Sequence, residues 1–149
     1  KHLPLAIFNL KNLETLDISY NNLSNVSNNI KLCTKLHKLI VAGCGLCELP
    51  KTIDKLTKLK EIDLSYNNIT SFPVEFSNLN NLISITFTNN KLHSFKGLDS
   101  IQIKLLISQN HVFGYYLKDD LERLLLRLYK KSNKDQMYLD LIEAGWVEK

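Results

Sequence analysis

Residues 59–69 read Leu59-Lys60-Glu61-Ile62-Asp63-Leu64-Ser65-Tyr66-Asn67-Asn68-Ile69. Ile62 and Leu64 are two apart, which in an extended chain puts both on one face and turns Glu61, Asp63 and Ser65 to the other. The same spacing recurs upstream as Leu36-x-x-Leu39-x-Val41-x-x-Cys44-x-Leu46 and as Leu13-x-x-Leu16-x-Ile18-x-x-Asn21-x-Leu23. Downstream it returns as Leu82-x-x-Ile85-x-Phe87-x-x-Asn90-x-Leu92. These four copies lie 23 residues apart. A degenerate fifth, Leu105-x-Ile107-x-x-Asn110-x-Val112, arrives after 20, with Gln102 in its first slot.

A single short strand cannot bury its apolar face alone, whereas stacked copies form a parallel sheet over a continuous core. The spacing predicts strands near 14–18, 37–41, 60–64, 83–87 and 104–107, with Leu16, Leu39, Ile62, Ile85 and Leu105 buried in one row. The asparagine after each strand turns the chain, and its carboxamide can bond backbone groups of neighbouring turns. Asn21, Asn67, Asn90 and Asn110 would form that ladder, with Cys44 in the slot of the second copy. Between strands, Leu3-Pro4-x-x-Ile7-x-x-Leu10, Leu49-Pro50-x-x-Ile53-x-x-Leu56 and Phe72-Pro73-x-x-Phe76-x-x-Leu79 lead the chain back, with proline pre-setting a short helical turn. The second copy departs from this, with Val26-Ser27 for Leu-Pro and Cys33 for Leu, and the fifth departs further, with Phe95-Lys96-Gly97.

The pattern resembles the leucine-rich-repeat family over residues 1 to about 112. The Pro-led halves are similar to the 23-residue type of Ras-suppressor and Scribble-like intracellular scaffolds, and of effectors of intracellular bacteria. The resemblance implies an α/β solenoid, a leucine-rich-repeat arc with a short parallel sheet on its concave face. It also implies that function resides in the side chains alternating with the core leucines.

Past Val112 the pattern changes. Leu121, Leu124, Leu125 and Leu128 are spaced for an amphipathic helix, and Met137, Tyr138, Leu141 and Ile142 for a second, with Gly145 as a C-cap. We divide the chain into repeats at 1–112, about five strands with an N-terminal half-repeat first, and a helical C-terminal cap at 113–149. A solenoid end needs such a cover.

With 44% apolar residues the chain has enough for a packed core. Its net charge of +4 is spread without runs of like charge, which argues against nucleic acid as a partner. The longest apolar stretches fall far short of a membrane span. The opening apolar stretch is too short for a signal peptide and is interrupted by Pro4 and Asn9; the chain opens on Lys1 with no initiator methionine, so we read it as a fragment or a trimmed mature form. Three cysteines, an odd count, suit a reducing compartment. Sequons at Asn22, Asn25 and Asn68 read as chance matches in an asparagine-rich chain. The expected location is cytoplasmic, or the host cytosol for a secreted bacterial effector.

Cys44-Gly45-Leu46-Cys47 has the spacing of a metal or redox pair, but zinc normally takes four ligands and no second pair is present. The repeat phase buries Cys44 and Cys33, so the pair Cys33 and His37 reads as core plus surface rather than nucleophile plus base. No glycine-rich phosphate loop occurs. We expect no catalytic residue, metal or cofactor, and no small-molecule substrate.

The outward slots name the candidate partner-binding face: Asp17, Tyr20, Lys38, Ile40, Glu61, Asp63, Tyr66, Thr86, Asn89, Lys104 and Leu106. Ile40 and Leu106 are apolar where the other copies are polar. Tyr20 and Tyr66 flank Gly43, which suggests a notch between two rings. Exposed apolar and aromatic groups beside charges suit a protein partner. The expected function is a protein-protein interaction module that binds a folded partner, such as an enzyme or GTPase, and scaffolds or inhibits it. The alternative is the substrate-recognition arm of a larger enzyme, such as a bacterial ubiquitin ligase.

Overall fold

A computed structural model describes residues 2–92 and 96–109 of the chain. Four strands appear where the spacing predicts them: β1 (Thr15–Asp17), β2 (Lys38–Ile40), β3 (Glu61–Asp63) and β4 (Ser84–Thr86). They form one parallel sheet in the order β1-β2-β3-β4. The register pairs Leu16 with Leu39, Leu39 with Ile62 and Ile62 with Ile85, so the central residues make one buried row. Identical repeat lengths force this register, because a slip by one residue would turn every leucine out of the core. Beyond the strands the ladder continues, with Ile18 N–H donating to Ile40 O, Val41 to Asp63 O and Leu64 to Thr86 O.

Short 3₁₀ turns on the opposite side span Leu5–Asn9, Asn28–Leu32, Lys51–Lys55 and Val74–Asn78. Pro4, Pro50 and Pro73 precede three of them. Before the remaining one stands Ser27, whose side chain accepts the Asn29 N–H at 3.1 Å. A hydroxyl cap thus replaces proline's fixed φ. Ile30, Ile53 and Phe76 point from these turns into the core, which the strand leucines fill from the other side. Phe72 joins Phe76 and Phe87 at ring separations of 4.7 and 5.1 Å.

The asparagine ladder forms at Asn67 and Asn90. Asn67 Nδ2 donates to Val41 O and Leu64 O, while its Oδ1 accepts from Cys44 N–H at 3.0 Å and Leu46 N–H at 2.9 Å. Asn90 repeats the reach to Leu64 O and Phe87 O, and accepts from Ile69 N–H. Cys44 fills the slot with its thiol, which donates to Ile18 O at 3.1 Å. Asn21 bonds Ile18 O and Ser19 O within its own turn. Asn110 lies outside the described residues.

The fifth copy corrects the sequence reading. Residues Ser100–Gln109 form an α-helix, α1, and not a strand at 104–107. Asp99 and Gln102 make a reciprocal capping box: Gln102 N–H donates to Asp99 Oδ1 at 2.7 Å and Asp99 N–H donates to Gln102 Oε1 at 3.2 Å. The helix buries Gln102, Ile103 and Leu106, a three-to-four spacing that the pair Leu105 and Ile107 had masked. Gln102 Nε2 donates to Phe76 O at 2.9 Å and fastens α1 to the preceding 3₁₀ turn. Among the described residues, four strands are therefore followed by a helix packed against β4. Gly97 makes this approach possible: a Cβ there would lie 2.5 Å from the carbonyl oxygens of Phe72 and Pro73. The proposed cap at 113–149 lies outside the described residues. No helix among the described residues is long and apolar enough to cross a membrane.

Candidate functional site

Alternation along each strand carries two rows of side chains to the concave face. One row is Thr15, Lys38, Glu61, Ser84 and the next is Asp17, Ile40, Asp63, Thr86, each aligned across the sheet by the register. Lys38 Nζ meets Glu61 Oε2 at 2.6 Å on adjacent strands. The Glu61 hydrogen bond and charge, then the charge of Asp63, hold the Lys38 ammonium above its usual range. Both side chains are nearly half exposed, so the pair organises the surface and contributes little stability.

Asp17 and Asp63 end their strands in the same way. Asp17 Oδ1 accepts from the Ser19 N–H and hydroxyl, and Asp63 Oδ1 from those of Ser65. The Ser19 hydroxyl, then its N–H, keep the Asp17 carboxyl below the usual carboxylate range. Ile40, half-buried, sits between these two aspartates. Thr86 is half-buried at the end of the row.

The next column turns the chain off the sheet. Tyr20, Tyr66 and Asn89 all have φ between 54° and 57°, and Gly43 has 63°. All four occupy the left-handed conformation that this tight turn requires, so glycine at 43 is the relaxed solution and the other three carry some strain. The notch expected at Gly43 is absent. The Tyr20 ring lies over it, and a Cβ at 43 would come within 2.6 Å of Tyr20 Cδ1. The missing side chain makes room for the neighbouring ring. Tyr20 and Tyr66 remain 75% and 57% exposed, and Asn89 is exposed.

Six of the eleven candidate residues thus lie side by side on the sheet face, Asp17, Lys38, Ile40, Glu61, Asp63 and Thr86, and Tyr20, Tyr66 and Asn89 follow in the turns beyond the strands. Leu106 does not belong to it, because it is 0% exposed on the inner side of α1. Lys104 is carried by the same helix and not by a fifth strand; its side chain lies outside the described residues. Sequence reasoning passed over Ile83, which is 61% exposed beside Ser84 at the rim of the sheet. Its signal was an isoleucine in the slot held by Glu14, His37 and Lys60 in the other copies.

Cys33 and Cys44 are free and buried, and Cys47 is exposed. Burial pushes the Cys33 and Cys44 thiols up from their ordinary value. A raised thiol pKa opposes nucleophilic use, which needs the thiolate. Cys44 is further occupied by its hydrogen bond to Ile18 O. Among the described residues, no three or more histidine, cysteine or acidic side chains are grouped to hold a metal ion.

Two models described as leucine rich repeat match residues 34–92 and 12–33. Among solved structures, a leucine-rich-repeat protein of Leptospira interrogans is similar, with a TM-score of 0.57 and 26% identity over 74% of this chain. An internalin of Listeria monocytogenes shows the same fold, with a TM-score of 0.55 and 18% identity over 79% of this chain. The chain spans 33% and 35% of the length of those two structures. A search of curated proteins finds no match.

Proposed function

The chain belongs to the leucine-rich-repeat family, and on that premise we propose that its concave sheet grips a folded partner protein. Leucine-rich-repeat domains generally mediate protein-protein interaction and are typically non-catalytic. The observation that carries the reading is the in-register face itself. Ile40 stands among Asp17, Lys38, Glu61 and Asp63, and the exposed ring of Tyr66 follows in the turn after β3, so apolar and aromatic groups share the face with charges. Such a mixture is what protein interfaces use: anchors that desolvate, ringed by polar groups. A partner held this way, an enzyme or GTPase, would be scaffolded or occluded by the arc. Three free thiols support a reducing, cytoplasmic setting for that role.

Site-specific photo-crosslinking tests the reading. A photoreactive residue at Ile40 should capture one protein, identified by mass spectrometry, whereas the same group at Lys51 on the convex side should capture none in common. Capture from position 51 alone would move the site to the convex side.

A further inference from the structure

We infer that the partner contributes a cationic side chain, arginine or lysine, which lies across Ile40 with its charged head between Asp17 and Asp63. This rests on the concave-face reading and names the chemistry that the face selects. Asp17 pairs with Ile40 and Ile40 with Asp63 on three consecutive strands. At a strand spacing of ~4.8 Å the two aspartates straddle the isoleucine, about 10 Å apart at their Cα atoms. The floor is therefore aliphatic and the two walls anionic. A long side chain with an apolar stem and a charged head matches that order of surfaces, because its methylenes can cover Ile40 while the head stays near the carboxylates.

The local charge points the same way. The whole chain carries a net +4, yet among the described strand residues of this face three carboxylates stand against one lysine. That lysine, Lys38, is committed to Glu61 at 2.6 Å. Asp17 and Asp63 are each fixed through Oδ1 by the serine two residues on, so neither must be ordered when a cation arrives. Less entropy is then lost on binding. Tyr66, three residues past Asp63, has an exposed ring, and exposed rings can take part in contacts with a guanidinium. An acidic or phosphorylated segment would meet like charge here, so it is disfavoured.

The test uses the isotope-labelled protein and two synthetic peptides, acetyl-Gly-Leu-Arg-Val-Gly-amide and its twin with uncharged citrulline for arginine. The arginine peptide should give saturable amide shifts centred on Asp17, Ile40 and Asp63, with the citrulline twin at least ~5-fold weaker. D17N combined with D63N should reduce the arginine peptide to the level of the twin. Asparagine still offers Oδ1 to Ser19 and Ser65, so an unchanged thermal melt shows that the fold is kept. Equal binding of both peptides on this face would overturn the inference while leaving the concave-face reading intact. Shifts centred elsewhere, or no saturable shift from the arginine peptide up to ~10 mM, would also overturn it. Failure of the broader reading has its own signature, crosslinking from position 51 in place of position 40.

Discussion

Asn67 accepts the backbone N–H of Cys44 through Oδ1 at 3.0 Å, one full repeat away, while its Nδ2 donates to Val41 O in that same neighbouring repeat. One carboxamide therefore closes its own turn and ties it to the next. The contact explains how a stack of three-residue strands stays rigid enough to present a surface. The three-residue strands supply few hydrogen bonds, the backbone ladder that runs on past them supplies more, and the buried asparagine side chains add to both.

Asn67→Ala should cost about 1–3 kcal/mol or more, because Cys44 N–H, Leu46 N–H and Val41 O lose a buried partner together. Asn21→Ala should cost less than half as much, since Asn21 is exposed and bonds only within its own turn. Urea melts of both variants check this. Equal losses would mean that the inter-repeat bonds add nothing.

The buried thiols give a pH signature. Burial raises the native pKa of Cys33 and Cys44 above the ordinary 9.0, so the folded state holds these protons more tightly than the unfolded chain. The resulting stability is fully present below about pH 9 and is lost as pH rises through the unfolded value and on to the native one. The urea midpoint should therefore fall as pH rises through about 9 and beyond, and fall less in the double variant with Cys33→Ala and Cys44→Ala. In native thiol titration only Cys47 should react rapidly.

Gly43→Ala should lose about 1–2 kcal/mol, from the left-handed backbone and the displaced Tyr20 ring. In a Tyr20→Ala background the ring contribution disappears. A double-mutant cycle should then return a coupling above about 0.5 kcal/mol, whereas strict additivity would show that the ring does not rest on the glycine.

The strands were legible because a leucine two residues from a leucine has few alternatives once it recurs with one period. The fifth copy was misread because two periods overlap there. Leu105 and Ile107 satisfy the strand spacing, while Asp99, Gln102, Ile103 and Leu106 satisfy a capped helix. The reciprocal pair Asp99 and Gln102 was the available signal. The ring over Gly43 was not readable at all, because the repeat phase fixes which way a side chain leaves the backbone and not where its ring comes to rest. The phase likewise identified Ile40, Asp17 and Asp63 as neighbours on an outer face, yet says nothing of what they meet.

The helical reading of α1 has its own check. Gln102→Ala should cost about 1 kcal/mol or more, since Phe76 O and Leu79 O each lose one of two donors and the tie from α1 to the preceding turn goes with them. Asp99→Ala should cost about 0.5–2 kcal/mol through the lost cap. Both should lower protection of the Ile103 amide, which donates to Asp99 O. A strand at this position would leave that amide insensitive to either change.

The central claim, that the concave sheet is the binding surface, is tested most directly by calorimetric affinity for the partner captured at position 40. Ile40→Ala combined with Tyr66→Ala should weaken binding by at least ~2 kcal/mol, about thirtyfold, with the fold checked by an intact melt. Lys31→Ala combined with Lys51→Ala, on the 3₁₀ turns of the convex side, should stay within about threefold of the wild type. The opposite ranking, with the convex variant losing affinity and the concave variant keeping it, would contradict the account.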